Sequence, residues 1–242
     1  MIHVIVLAAG IGSRLKPHTD KLPKCLLPVG GKSLLARNLD LLFHHSNLQV
    51  TVVTGYLEDK IKTAVKNEFS GKDVRFVSNS EYNSTNNAFS LALALKKVPG
   101  PFALMDGDLI LDKNLLDAFV ARALENLFWV DSTKGRLTAE AMKVRLQGKQ
   151  IAYFSKNIPL TEASGEYIGL ASFGEEWGEA FCERSSRLSE KEKASAYYED
   201  ICNDLIAKNR QLPSLGVAPV PDNSWMEIDT PEDWEEACKR FR

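Results

Sequence analysis

The chain has 242 residues, of which 44% are hydrophobic and 26% charged, an ordinary balance for a globular protein long enough to bury a sizeable core. Thirty basic against thirty-two acidic residues leave a formal charge of −2, so nothing global points to nucleic acid or to an anionic membrane as partner. Disorder, collagen-like repeats and an extended coiled coil are excluded by the same figures.

In chain order, Ile2 to Leu7 is an unbroken apolar, β-branched run, the signature of a buried parallel strand. A long loop rich in Gly, Pro and Lys follows, and then the spacing of Leu34, Leu35, Leu39, Leu42 and Phe43 predicts a helix over 33–44. Strands are expected over 49–53, 74–77 and 101–105, and helices over 57–69 and 86–97. Strands alternating with helices of this length imply βαβ units and a right-handed, mostly parallel sheet. After Asp112 the rhythm changes. A helix over 114–123 precedes short strands at 127–130, 142–146, 151–154 and 167–173, then helices over 176–184 and 196–209. Late strands are expected at 215–220 and 225–228, and Pro231 at a first helical position opens a closing helix. With no repeat, linker or low-complexity segment, the expected organisation is one α/β domain over 1–242 carrying a small mixed-sheet insertion at about 126–175.

The four cysteines, Cys25, Cys182, Cys202 and Cys238, form no C-x-x-C pair, so reduced structural thiols are expected rather than a zinc or redox motif. No apolar run approaches the roughly 18 residues of a membrane span. The apolar N-terminal run lacks a basic leader and a cleavage site. The expected location is cytoplasmic.

The most informative stretch is Leu7-Ala8-Ala9-Gly10-Ile11-Gly12-Ser13-Arg14-Leu15. Glycines after a strand let the backbone approach a ligand closely, and exposed N–H groups there form an anion nest. Two familiar glycine motifs fail. Leu15 occupies the third glycine of the dinucleotide fingerprint, and Gly31-Lys32-Ser33 lacks the earlier glycine of a P-loop, where Leu26 stands. What survives is a glycine loop carrying Arg14, Lys21 and Lys24, stiffened by Pro17, Pro23 and Pro28. Residues 1–32 hold five basic side chains and one acidic, a local +4 suited to a polyphosphate. A solvated basic surface loop is the competing reading.

Leu7-Ala8-Ala9-Gly10-x-Gly12-Ser13-Arg14-Leu15, followed by Pro17, Pro23-Lys24, Leu27-Pro28-Val29 and Gly31-Lys32, resembles the signature of nucleotidyltransferases that activate sugar phosphates and alcohol phosphates. Within that superfamily the closer likeness is to bacterial phosphocholine cytidylyltransferases and their relatives acting on phosphonates. Asn86-Asn87-x-x-Ser90-Leu91, Gly165-Glu166-Tyr167-Ile168-Gly169 and Glu227-Ile228-Asp229-Thr230-x-Glu232-Asp233 extend the likeness over essentially the whole chain. The resemblance implies a Rossmann-like sheet with the nucleotide above the carboxyl ends of its strands. It implies that Leu7, Ala8, Ala9, Gly10, Gly12 and Ser13 line the nucleotide site, and that Lys24, with Arg14, meets the triphosphate. It further implies Mg²⁺ held by Asp108, Glu227 and Asp229. Asp106 stands where many relatives carry an uncharged residue, which leaves the choice between Asp106 and Asp108 open.

The residues give partial support of their own. Asp106-Gly107-Asp108 closes an apolar strand, where open α/β sheets bind ligands. On an extended chain the two carboxylates would share a face, whereas a bend at Gly107 would aim only one inward; a plain Asp-Gly surface turn is the competing reading. Residues 222–242 carry seven acids and three bases, net −4, opposite in sign to the first loop. Helix capping by Asp229 or Thr230 competes with metal binding for that charge. Asn83, Ser84, Thr85, Asn87 and Ala88 surround the start of a helix, where short polar side chains either read a pyrimidine and its phosphates or cap the helix.

The expected reaction is therefore CMP transfer from CTP to a small phosphorylated or phosphonate acceptor, phosphocholine or 2-aminoethylphosphonate. Its acceptor residues are expected to be Lys156, Glu166, Tyr167 and Tyr198. Trp129, Tyr167, Tyr197, Tyr198 and Trp225 are candidates for an aromatic cage around a quaternary ammonium, and Glu166, Glu199 and Asp200 for pairing with a primary one. No histidine base is required, so His3, His18, His44 and His45 are read as incidental. A sugar-1-phosphate nucleotidyltransferase using UTP, GTP or dTTP, and a domain that binds nucleotide without turnover, are the alternatives.

Overall fold

The computed structural model describes residues 1–133, 135–208 and 211–241. Strand β1 (Ile2–Ala8) runs through the middle of the molecule, and its alternation decides which face each side chain feeds. Val4 and Val6 enter the core on one face and Ile5 the core on the other, all three fully buried. Burial of that kind stabilises by about 1.5–3 kcal/mol for each such side chain.

The hairpin strands β2 (Pro28–Val29) and β3 (Lys32–Ser33) follow the first loop, ahead of α1 (Leu34–Leu42), whose N-cap is Ser33. Then come β4 (Leu48–Thr54), α2 (Glu58–Glu68), β5 (Val74–Ser78), α3 (Asn87–Leu95) and β6 (Phe102–Asp106). β5, β4, β1 and β6 pair in parallel in that order, so Ala8, Thr54 and Asp106 end on one edge of the sheet. This is the parallel arrangement expected from the alternation and the Rossmann-like sheet that the resemblance implies.

Beyond β6 lie β7 (Leu109–Leu111), α4 (Lys113–Ala121), β8 (Leu127–Asp131), β9 (Lys143–Gln147), β10 (Gln150–Ser155) and β11 (Gly165–Phe173). The chain closes with α5 (Glu175–Ser185), α6 (Glu190–Ser195), α7 (Tyr198–Lys208), β12 (Gly216–Pro219), β13 (Trp225–Glu227) and α8 (Pro231–Arg240). The strands expected over 126–175 continue the main sheet, in the order β6-β11-β8-β12-β10-β9, with β11 antiparallel to both β6 and β8. Among the described residues, no helix is long and apolar enough to cross a membrane.

Two local devices bring distant segments together. Gly107 approaches β1 so closely that a Cβ there would lie 2.6 Å from the Leu7 carbonyl, and its N–H donates to that oxygen at 2.9 Å. The chain turns there, and β7 then pairs antiparallel with β13, Leu109 opposite Glu227. The Ile228 N–H donates to the Asp108 carbonyl at 3.1 Å, which carries the acidic tail alongside Asp108. Helix α8 fastens the arrangement from outside. Trp234 Nε1 donates to the Pro28 carbonyl at 2.9 Å, and its ring meets His18 at 4.5 Å between centroids.

Candidate active site

The glycine loop is held in a single shape from several sides. Gly12 is left-handed (φ 67°), and a Cβ there would lie 2.9 Å from Lys24 Cβ. Thr19 Oγ1 donates to the Gly12 carbonyl at 2.8 Å, and Leu15 is buried beneath the loop. Pro23 precedes a short 3₁₀ turn, Lys24–Leu26, which presents Lys24 beside the glycines. The first strand edge, this loop and the tail bound a cleft of about 1060 Å³.

Opposite charges meet in that cleft. Lys24 Nζ donates to Asp108 Oδ2 at 2.7 Å and to Asp229 Oδ1 at 2.5 Å, and Arg14 Nη2 donates to Asp229 Oδ2 at 2.6 Å. Burial pulls the Lys24 ammonium toward deprotonation, but Asp108 and Asp229 outweigh it and hold its pKa above the usual value. Burial alone would raise the Asp229 carboxyl; Lys24 and Arg14 reverse that and hold it below its ordinary range. Enclosure by the cleft, then the charges of Asp108 and Asp229, push Glu227 upward. Asp229 is free to do this because Thr230 caps α8, in a capping box with Asp233. The capping alternative for the tail acids thus falls to Thr230.

Asp108, Glu227 and Asp229 each offer a carboxylate oxygen, all within 4.8 Å of one another. Asp108 Oδ1 is buried and has no hydrogen-bond partner among the described residues. Three converging carboxylates with a buried orphan oxygen fit a hard divalent cation such as Mg²⁺, which takes carboxylate oxygens and completes its shell with phosphate oxygens and water. Asp106 turns elsewhere because of the bend at Gly107. Its Oδ2 accepts from the Tyr198 hydroxyl at 2.9 Å, and that hydroxyl lies 3.1 Å from the Tyr167 hydroxyl. Enclosure first, then Asp108 and Glu199, raise the Asp106 carboxyl well above its ordinary value, a shift that the Tyr198 hydrogen bond opposes.

Leu7, Ala8, Ala9, Gly10, Gly12, Ser13, Thr85, Asn87 and Asp106 line the cleft, as do Lys156, Glu166 and Tyr167 on its far wall. Four expected site residues lie elsewhere. Asn83 and Ser84 are exposed in the turn before α3, where Ser84 Oγ donates to the Glu81 carbonyl. Ala88 packs into the core beneath α3. Tyr198 is fully buried behind the wall and touches the cleft-lining residues Asp106, Tyr167 and Asn87 rather than the cleft itself. Of the aromatic-cage candidates, Trp129 is also in the core, edge-on to Phe119 at 5.1 Å. Asp200 caps its own turn by accepting from the Tyr197 N–H at 2.8 Å.

Asn79 and Arg136 line the wall without a signal in the sequence. Asn79 donates to Thr85 Oγ1 at 3.1 Å and to Ser90 Oγ at 3.0 Å, fixing the start of α3. Arg136 lines the cleft and donates to Asn223 Oδ1 at 2.6 Å. Trp225 Nε1 donates to the buried Asp131 at 2.8 Å. Lys156 Nζ lies 5.2 Å from the centre of the Tyr197 ring. On the far wall, burial and then Asp131 push Glu166 up to about 7, and burial pushes Glu199 up to about 8. The Asn86 side chain accepts from the Asn87 N–H at 2.8 Å, and Asn87 Oδ1 accepts from the Tyr198 N–H at 3.0 Å, so this polar pair joins α3 to α7.

A glycine loop at the carboxyl edge of a parallel sheet, two cations on it and three carboxylates facing them define a nucleotidyltransferase domain. The chain belongs to the MobA-like NTP transferase domain family, whose model matches residues 4–152. It is similar to the CMP-5'-(3-aminopropyl)phosphonate synthase of Streptomyces rubellomurinus, 26% identical over 99% of this chain, although the chain spans only 39% of that relative's length. It is similar to the choline-phosphate cytidylyltransferase of Streptococcus pneumoniae, 26% identical over 95% of this chain and 94% of the relative. In fold it matches the solved CTP:phosphocholine cytidylyltransferase of Streptococcus pneumoniae, with a TM-score of 0.79 and 21% identity over 100% of this chain and 99% of that one.

Proposed function

We propose that this chain is a Mg²⁺-dependent cytidylyltransferase, moving CMP from CTP to a small phosphorylated alcohol or phosphonate and releasing pyrophosphate. The observation that carries the reading is the meeting of the loop cations with Asp108 and the tail carboxylate Asp229, Lys24 Nζ at 2.7 Å from Asp108 and 2.5 Å from Asp229. The names of the relatives support CTP and an acceptor of the phosphocholine or 2-aminoethylphosphonate kind. The reaction is proposed to take place in the cytoplasm. One domain spans 1–242, and its 126–175 segment supplies the acceptor wall.

Both reactants are anions, so the chain's task is charge neutralisation and in-line placement. The glycine-loop N–H groups and Arg14 hold the β- and γ-phosphates, and Lys24 meets the charge that grows on the departing pyrophosphate. Asp108, Glu227 and Asp229 would hold Mg²⁺, which would polarise phosphate oxygens and screen the two anions from each other. Thr85 and Asn87 meet the nucleotide at the start of α3, beside Asp106. Lys156 attracts the acceptor's phosphate or phosphonate; Glu166 and Tyr167 contact its other end. An acceptor oxygen, already ionised at neutral pH, forms the new P–O bond to the α-phosphorus as the bond from that phosphorus to the bridging oxygen breaks. No proton has to be removed.

The test is pyrophosphate release by the purified chain with CTP, UTP, GTP and dTTP, each against phosphocholine, 2-aminoethylphosphonate, phosphoethanolamine and glucose 1-phosphate. Turnover confined to CTP with one of the first three acceptors is the expected result. Preference for another nucleotide with the sugar phosphate would replace this reading with a sugar-activating one, and no turnover anywhere would leave a binding domain.

A further inference from the structure

Lys24 does more in this site than await a triphosphate. Its ammonium lies between two of the three carboxylates suited to the divalent cation, within direct hydrogen-bonding distance of both. The pairs are well enclosed: the Lys24 side chain is 13% exposed, against 25% for Asp108 and 24% for Asp229. Exposed ion pairs contribute little, but enclosed and shared ones resist substitution more strongly. Asp229 has both oxygens paired, one with Lys24 and one with Arg14, so a divalent cation that takes Asp229 as a ligand must displace one of these side chains, and Lys24 is the one that also holds Asp108.

The root of the Lys24 side chain shows where the ammonium would go. Lys24 Cβ packs against Gly12, so closely that a Cβ at Gly12 would lie 2.9 Å away. Its flexible four-carbon stem thus starts on the wall of the glycine loop, and a rotation of that stem can carry Nζ from the carboxylates toward an anion seated on the loop. Arg14 is placed in the same way. It pairs with Asp229 at 2.6 Å while its side chain remains 57% exposed. Both cations that hold the carboxylates stand next to the nest that attracts phosphate.

Resting on the nucleotidyltransferase reading, we infer that Lys24 is an internal occupant of the cation site, released only when a triphosphate offers it a better partner. Divalent cation and nucleotide consequently bind as a coupled pair. The free carboxylate cluster has a low affinity for the cation, because the competent, unpaired state is only a fraction of the population. The nucleotide withdraws Lys24 and opens the cluster. By linkage, the cation strengthens nucleotide binding by the same factor.

The experiment is a titration of the intact chain with Mn²⁺, read by the electron paramagnetic resonance of free Mn²⁺, with and without α,β-methylene-CTP. Wild type should bind Mn²⁺ weakly alone and about tenfold more tightly with the analogue, a coupling of ordinary size. Lys24→Met, which keeps the packing against Gly12 but has no charge, should bind Mn²⁺ alone about tenfold more tightly than wild type, with most of the coupling gone. Lys24→Gln repeats the measurement with a polar side chain, and Lys24→Arg, which can keep the pairs, should retain the weak binding of wild type. If the folded Met or Gln variant binds Mn²⁺ no more tightly than wild type, Lys24 is not the occupant. This readout needs no turnover. A failure of the nucleotide and acceptor panel would leave the Mn²⁺ result standing, and a failure here would leave the panel untouched.

Discussion

Removal of a single oxygen at Tyr198 tests how Asp106 is held. In Tyr198→Phe the ring stays in its fully buried place, and only the hydroxyl 2.9 Å from Asp106 Oδ2 and 3.1 Å from the Tyr167 hydroxyl is lost. A hydrogen bond contributes about 0.5–1.5 kcal/mol net, and a partner left unsatisfied adds to the loss. Asp106 is half-buried on the cleft wall and can recover part of this from water, so the expected cost is about 1–2 kcal/mol. For a chain of this length that lowers Tm by roughly 2–8 °C. The same hydrogen bond opposes the upward shift of the Asp106 carboxyl, so the variant's Asp106 titrates higher still. Thermal unfolding followed by circular dichroism measures the stability. A Tm within about 1 °C of wild type would refute the hydrogen bond as a structural element. Because Tyr198 does not line the cleft, the acceptor KM should stay within about twofold of wild type, whereas a direct contact would raise it well beyond that.

At Gly12, replacement by Ala puts a Cβ at φ 67° and 2.9 Å from Lys24 Cβ, so CTP turnover should fall by tenfold or more, at roughly 1–2 kcal/mol in stability by urea unfolding; unchanged kinetics would show that the loop is not under this constraint. Asp108→Asn leaves the fold intact and should reduce CTP-dependent pyrophosphate release by roughly a thousandfold, whereas near-normal release would remove Asp108 from the reaction. Glu166, pushed to about 7 against an ordinary 4.5 first by burial and then by Asp131, opposes folding when ionised. The unfolded chain releases that proton first, so this group's contribution to stability falls as pH rises from about 4.5 to about 7. Glu166→Gln should thus raise the unfolding free energy relative to wild type at pH 8, by about 1–2 kcal/mol after allowing for its partial exposure, and leave it unchanged at pH 4, as read by urea unfolding; an equal effect at both pH values would exclude ionisation as the cause. Thr230→Ala removes the side-chain oxygen that caps α8 and should cost about 1 kcal/mol by urea unfolding, and no loss would show that the capping box does not hold the tail.

The parts of the fold written in local pattern were readable in the sequence. The β-branched run of β1, the leucine spacing of α1, and Pro231 at the start of α8 each express a preference within a few residues. What was not readable is either very short or dependent on distant pairing. The two-residue strands of the 28–33 hairpin are too short for a period, and α6 buries no residue, so its sequence carries no apolar stripe. Strand β7 exists because β13 lies beside it, more than 110 residues further along the chain. That same pairing places Glu227 and Asp229 next to Asp108, a proximity for which the charges at the two ends of the chain gave a motive but no geometry. Tyr197 and Tyr198 illustrate the limit at single-residue scale. The helix begins at Tyr198, and that one-residue phase sends Tyr198 into the core while Tyr197 stays on the cleft wall. Asp106 and Asp108 were separable only once the close approach of Gly107 to Leu7 fixed the bend between them.

The most direct measurement is a crystal of the full chain grown with Mn²⁺ and α,β-methylene-CTP, with anomalous differences collected at the manganese edge. The expected result is a manganese peak among Asp108, Glu227 and Asp229, with the analogue's phosphates on residues 9–14 and Lys24 turned toward them. Manganese and triphosphate bound away from those carboxylates and that loop would contradict the account.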